Sequence, residues 1–166
     1  RLLAHLSDDP ALIDAFRAGM DIHRAVAAEV FGVEPDDVTP EQRGTAKMVN
    51  FGIVYGITPF RLARRLGGDI SNEEARRIIE EYKDRYRGID AFLARCIDEA
   101  KKKGYVETIL KRRRSIPEVE AKHPQQRALG ERMAINTVVQ GSAADLIKLA
   151  MIAVDRRLAE DFPGQF

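Results

Sequence analysis

The sequence predicts a mainly α-helical chain with one short β-hairpin. Three observations point there. Apolar residues recur at three- and four-residue spacing through most of the 166 residues. Helix-start signals recur, each a short polar residue followed by proline or by Glu/Gln three positions on. Only the stretch Tyr105–Ile109 alternates as a strand does.

The elements follow in order. Asp9-Pro10 opens a short helix with Leu12, Ile13 and Phe16 on one face, and Gly19 ends it. Asp21 caps the next, with Ile22, Val26 and Val30 inward and Gly32 as its stop. Thr39-Pro40-Glu41-Gln42 supplies a cap hydroxyl, proline at the first helical position and Gln at the third, a capping box. Thr58-Pro59 restarts a short helix closed by Gly67-Gly68. A second capping box, Ser71-Asn72-Glu73-Glu74, opens a helix carrying Ala75, Ile78, Ile79 and Tyr82. Ile89, Phe92, Leu93, Cys96, Ile97 and Ala100 mark a further helix, which Gly104 stops. Tyr105–Ile109 then pairs with Arg114–Ile116 across a basic turn. Helix resumes near Gln125 and runs to about Asp161, with Gly141 as the place for a bend. Both ends read as cut, so the chain is expected to be a fragment of a longer protein.

Composition bounds the classes. With 45% hydrophobic and 32% charged residues, the chain suits a soluble globular domain with a core. It has no uninterrupted apolar run of bilayer length and no signal-peptide pattern, so no membrane partner is expected. Cys96 is the only cysteine. That excludes an internal disulfide and points to a reducing, cytoplasmic setting. No Cys/His cluster has zinc spacing. The net charge of +1 hides a gradient: residues 1–42 hold three Arg against nine Asp/Glu, and the rest of the chain is net positive. The densest patch, Lys101 to Arg114, has seven basic residues and only Glu107 against them. It reads either as a polyanion contact or as a solvated face.

The most telling feature is Arg43, Lys47, Phe51 and Tyr55, four residues apart. On a helix each such step drifts by about 40°, which leaves two cations and then two aromatics along one stripe. Arg grips phosphate through two hydrogen bonds, Lys acts as a movable point charge, and the free N–H groups of the helix start add positive potential. Phe51 and Tyr55 offer flat faces to a sugar and a base. Gly52 and Gly56 each cost roughly 1 kcal/mol of helix propensity, which suggests close approach by another backbone or a nucleic acid. The alternative is a core stripe with solvated cations.

The run Arg43, Lys47, Asn50, Phe51, Gly52, Tyr55, Gly56 resembles motif B of the family A DNA polymerases, Arg-x3-Lys-x2-Asn-Phe-Gly-x2-Tyr-Gly. Further similarities follow in family order. Arg1–Ser7 is similar to the segment after motif A, and Asp21-Ile-His23 to the triplet before motif B. Gly104–Thr108 and Arg112–Arg114 are similar to the hairpin beyond the fingers. Glu131–Asn136 and Val139–Asp145 are similar to the long helix that returns to the palm.

The resemblance implies a helical fingers bundle with a short hairpin and partial palm segments. Residues 1–166 would form a partial polymerase domain, with about 8–123 as fingers and hairpin and 1–7 and about 124–166 as palm edges. It implies that His23, Arg43 and Lys47 hold the triphosphate of an incoming dNTP and that Phe51 packs near the sugar and discriminates against dideoxynucleotides. Tyr55 would stack at the template–primer junction, and Arg132, Asn136 and Gln140 would line the DNA. Arg112–Arg114 are either template-phosphate contacts or a solvated turn, and His5 is structural. Many family members carry a second Arg where this chain has Gly44. Two Mg2+ ions are implied, but their carboxylates lie outside the fragment. It is therefore expected to hold no catalytic or metal-binding residue and to be inactive alone. A monomeric, cytoplasmic enzyme is expected, of bacterial or viral source. The competing reading is a non-catalytic helical module that binds nucleic acid.

Overall fold

Asp9, Asp21, Thr39, Thr58, Ser71 and His123 each accept a hydrogen bond from a backbone N–H of the helix they precede. These caps set the element boundaries in the computed structural model, which describes residues 1–67 and 70–163. Gly68, half of the proposed Gly67-Gly68 stop, lies outside the described residues. The chain divides into two units, Arg1–Arg95 and Cys96–Phe166.

The first unit holds α1 (Leu2–Ser7), α2 (Pro10–Arg17), α3 (Ile22–Phe31), α4 (Pro40–Val54), α5 (Pro59–Arg65), α6 (Asn72–Arg85) and the first part of α7 (Arg87–Lys103). Helix α3 packs along α4, and α5 against α6. Val26, Ala27, Val49, Ile53, Leu62 and Ala75 are buried. Each large apolar side chain among them contributes about 1.5–3 kcal/mol by leaving water. Asp9 ties the unit's sequence ends together. Its buried carboxylate caps α2 through Leu12 N–H at 2.9 Å and accepts Gly88 N–H at 2.8 Å. A Cβ on Gly88 would lie 2.7 Å from Asp9 Cα, so the position requires glycine.

The second unit holds the rest of α7, strands β1 (Tyr105–Glu107) and β2 (Arg113–Ser115), a 3-10 turn at Pro117–Glu120, and α8 (Pro124–Asp161). Ala100, Val106, Ile116, Val119 and Ala134 form its core. The strands pair antiparallel as Tyr105↔Ser115, Val106↔Arg114 and Glu107↔Arg113. Strand β1 is shorter than the alternation suggests, and β2 keeps the expected length but lies one residue earlier. Thr108 closes the turn, its N–H donating to Arg112 O at 3.0 Å and its hydroxyl accepting from Arg112 N–H at 3.2 Å.

Helix α8 runs unbroken through Gly141. There a Cβ would meet Thr108 Cγ2 at 2.6 Å, so the glycine admits the hairpin's threonine. By length and composition α8 could cross a membrane, which corrects the expectation drawn from uninterrupted runs. Asn136, Gln140, Asp145 and Lys148 break the run without making the helix polar on average. The first half of α8 buries Ala134 and Ile135 in the second unit, but only 17% of its most apolar stretch is buried. Beyond Asp145 it exposes Ile147, Met151 and Val154.

Candidate functional site

Helix α4 is fixed by its capping box. Thr39 Oγ1 accepts Gln42 N–H at 3.2 Å, and Gln42 Oε1 accepts Thr39 N–H at 2.9 Å. This registers Arg43, Lys47, Asn50 and Phe51 against α3. Arg43 does not stand free: its Nε donates to Asp21 Oδ2 at 2.6 Å. The other oxygen of Asp21 caps α3 through the N–H groups of His23 and Arg24, at 3.1 and 3.2 Å. One carboxylate thus starts the helix that carries His23 and holds the first cation of the stripe. The Arg43 guanidinium, aided by the backbone donors, keeps that carboxyl below the usual Asp range.

His23 is half-buried between α3 and α4, its ring 6.4 Å from that of Phe51. Burial pushes its pKa down, and Arg43 and Lys47 push the same way against Asp21. Its Nδ1 lies 2.9 Å from Nδ2 of buried Asn50. Lys47 is exposed and enters no ion pair among the described residues. Phe51 is 51% exposed, which rules out the core-stripe alternative for this ring. Tyr55 sits just past the helix as its half-buried C-cap, with φ −99°. His23, Arg43, Lys47 and Phe51 therefore gather beside one another, and Tyr55 closes the end of the element.

Two glycine expectations change. A Cβ on Gly52 would press Ile57 Cδ1 at 3.1 Å, so the close approach comes from the chain's own side chain. Gly56 adopts φ +73° in the turn after α4, a conformation that favours glycine. Gly44, in contrast, has no atom within 4 Å of an added Cβ. Gly44→Ala is expected to stabilise α4 by about 1 kcal/mol. Slower hydrogen exchange of the α4 amides checks this, and unchanged or faster exchange contradicts it.

In the second unit, Asn136 and Gln140 line a cleft of about 300 Å³ with Arg112, Arg113, Arg114 and Thr137. Arg132, one turn earlier on α8, is half-buried and is not among its lining residues. The three arginines are exposed, and each also has a partner within the chain. Arg112 pairs with buried Asp145 at 2.8 Å and donates to Gly141 O at 3.1 Å. Arg113 pairs with Glu107 at 2.9 Å and lies over the Tyr105 ring at 4.8 Å. Arg114 donates to Thr137 Oγ1 at 3.2 Å. The Thr108 hydroxyl and then Arg112 hold the Asp145 carboxyl below its usual range. Lys101 and Lys103 also pair, with Glu131 and Glu99. Acids from outside the run thus pair with three of its seven cations, Lys101, Lys103 and Arg112, while Glu107 within it pairs with Lys111 and Arg113. The cleft keeps guanidinium edges beside two amides, a suitable lining for phosphate or base edges.

Sequence reasoning gave Asp21 and Asn50 no part in the site and left Asp145 without a role. The Asp-x-His spacing hinted at Asp21. Nothing local signals that its partner is Arg43, 22 residues on.

The fold and these two surfaces define a helical chain with a capped helix bearing cations and an exposed ring, and a hairpin–helix cleft lined by arginine and amides. The chain belongs to DNA polymerase family A, whose sequence profile matches residues 1–164. It is 51% identical over 167 residues to DNA polymerase I of Lactococcus lactis subsp. lactis, covering 99% of this chain and 19% of that protein. It is 46% identical to DNA polymerase I of Pseudomonas aeruginosa, covering 96% of this chain and 17% of the relative. A solved structure, the POL domain of Pol1 from M. smegmatis in complex with DNA primer-template and dNTP, superposes with a TM-score of 0.89 at 45% identity. That match covers 97% of this chain and 28% of the solved chain. The chain spans less than a fifth of the length of these curated relatives.

Proposed function

We propose that this chain is the fingers region, with palm edges, of a DNA-templated DNA polymerase, and that it grips the incoming dNTP and the template–primer during nucleotidyl transfer. Residues 8–123 correspond to the fingers with the hairpin, and 1–7 and 124–166 to the palm edges. The observation that carries the reading is the grouping of His23, Arg43 and Lys47 beside exposed Phe51 on α3 and α4. A triphosphate laid on α4 meets Lys47 directly and draws Arg43 away from Asp21. The Asp21 carboxylate then repels the polyphosphate unless Arg43 bridges the two, so Arg43 links nucleotide binding to the start of α3. Phe51 packs near the sugar, and Tyr55 at the C-cap stacks at the template–primer junction. Arg132, Asn136 and Gln140 follow the DNA, with Arg112–Arg114 opposite the last two.

Family membership implies a divalent-metal requirement, and two Mg2+ ions suit phosphoryl transfer of this kind. Among the described residues no three His, Cys, Asp or Glu side chains gather where they could hold a metal. The described residues therefore offer no such cluster to the ions, and in this reading their contribution is binding and orientation. The parent is a monomeric bacterial enzyme of the cytoplasm. The test is Phe51→Tyr in the intact polymerase, which is expected to increase dideoxynucleotide incorporation in a primer-extension ladder. Unaltered termination would count against the placement of Phe51 at the sugar.

A further inference from the structure

Asn50 is the one buried amide at this site. It is 6% exposed, faces α3 from the turn of α4 between Lys47 and Phe51, and has its Nδ2 2.9 Å from His23 Nδ1. Its Oδ1 is buried and accepts no hydrogen bond among the described residues. A buried carbonyl oxygen without a donor is uncommon, and it faces a ring that can change its proton count.

A carboxamide presents a donor on one side and an acceptor on the other. With Nδ2 toward the ring, the imidazole must accept at Nδ1, so the neutral ring carries its proton on Nε2. Turned by 180°, the carboxamide would place Oδ1 at Nδ1, which suits a ring protonated there. The first orientation leaves Oδ1 without a partner; the second pairs Oδ1 with Nδ1–H and puts Nδ2 in the position Oδ1 now holds. In either orientation Nδ1 is engaged with Asn50, and Nε2 is the ring nitrogen left for a ligand.

The surrounding charges decide which state holds. Asp21, at the start of α3, favours the imidazolium. Arg43 and Lys47 on α4, and the amino group of Arg1, oppose it together with burial. Burial and these cations together favour the neutral ring over the imidazolium. A polyanion beside Arg43 and Lys47 reverses that balance, because its charge stabilises a proton on His23.

We propose that Asn50 is a positioning residue: it locks the imidazole of His23 with Nε2–H toward the dNTP triphosphate, and its carboxamide turns over to accept from Nδ1–H when the ring takes up a proton on nucleotide binding. The inference rests on the reading of His23 as a triphosphate contact. No bond other than N–H is made or broken, and the proton comes from solvent.

The test is a double-mutant cycle in the intact polymerase, with KM for dNTP measured across pH. His23→Ala and Asn50→Ala are each expected to raise KM by about tenfold, with kcat near wild type, as for loss of one charge-assisted hydrogen bond. The double variant should be no worse than His23→Ala, because Asn50 acts only through the ring. Asn50→Asp keeps the size and decides the matter if Asn50→Ala does not fold. Its carboxylate favours the imidazolium, so the His23-dependent change in KM should move to higher pH. Multiplying effects in the double variant, or an Asn50→Asp profile that superposes on wild type, would overturn the proposal. If His23→Ala and Lys47→Ala both leave KM unchanged, the triphosphate reading itself fails, an outcome distinct from His23→Ala raising KM while Asn50→Ala does not.

Discussion

Lys47→Ala in the intact polymerase is expected to lower kcat/KM for all four dNTPs by about 30- to 1,000-fold, with stability unaffected. The magnitude follows from losing one preorganised charge on a transferring phosphoryl group, roughly 2–4 kcal/mol of transition-state stabilisation. Lys47 is exposed and has no ion-pair partner among the described residues, so its charge is available to a ligand and its removal leaves nothing buried and unpaired. Arg43 differs, because it already pairs with Asp21 and part of its interaction with a phosphate replaces an existing one. Arg43→Ala also leaves the Asp21 carboxylate without its guanidinium at the start of α3, so it should disturb both binding and the position of His23. A loss that is equal for all four bases marks a contact to the tail. A loss confined to one base would place Lys47 at the base edge. Unchanged kcat/KM for all four would remove it from the site.

The parts of this chain legible in the sequence are those set by contacts between near neighbours. Both capping boxes formed, at Thr39 and Ser71, because each joins residues three apart. Gly32 and Gly104 ended their helices in the left-handed conformation, again through local backbone geometry. Long-range partners left no such trace. Asp9 reads as an ordinary cap, yet it also receives Gly88 N–H, 79 residues on. The patch from Lys101 to Arg114 reads as nearly all positive. Folding brings Glu131 and Asp145 of α8 to it, while Glu99 reaches Lys103 from one turn back on α7. The α4 stripe stayed readable because a helix preserves four-residue spacing whatever packs on it. The Asp21–Arg43 pair that governs it did not, since 22 residues separate its members. The cost at Gly52 was visible, but its beneficiary, Ile57, was not, because only the folded turn after α4 puts that side chain over the glycine.

Gly130→Ala is expected to destabilise the second unit by roughly 3 kcal/mol, although the same substitution at Gly44 stabilises α4. The difference lies in what an added methyl meets. At Gly44 it meets open space. At Gly130 it would lie 2.5 Å from Val119 N and 2.6 Å from Glu118 C, and both are backbone atoms. A side-chain neighbour could relieve such an overlap by changing rotamer; the 3-10 turn Pro117–Glu120 cannot. The turn would have to lift from α8, and Val119 and Ile116, both buried, would lose contact with Ala134. The gain in helix propensity from Gly to Ala, about 1 kcal/mol, offsets only part of this. Because β2 leads directly into that turn, the damage should reach the hairpin and with it the arginines opposite Asn136 and Gln140. Hydrogen exchange in the intact polymerase should therefore quicken across residues 104–120 while the α4 amides keep their protection, and binding to template–primer DNA should weaken. Exchange unchanged over residues 104–120 would mean that the turn is not held down by the missing Cβ. Weakened DNA binding with that exchange unchanged would place Gly130 itself against the nucleic acid.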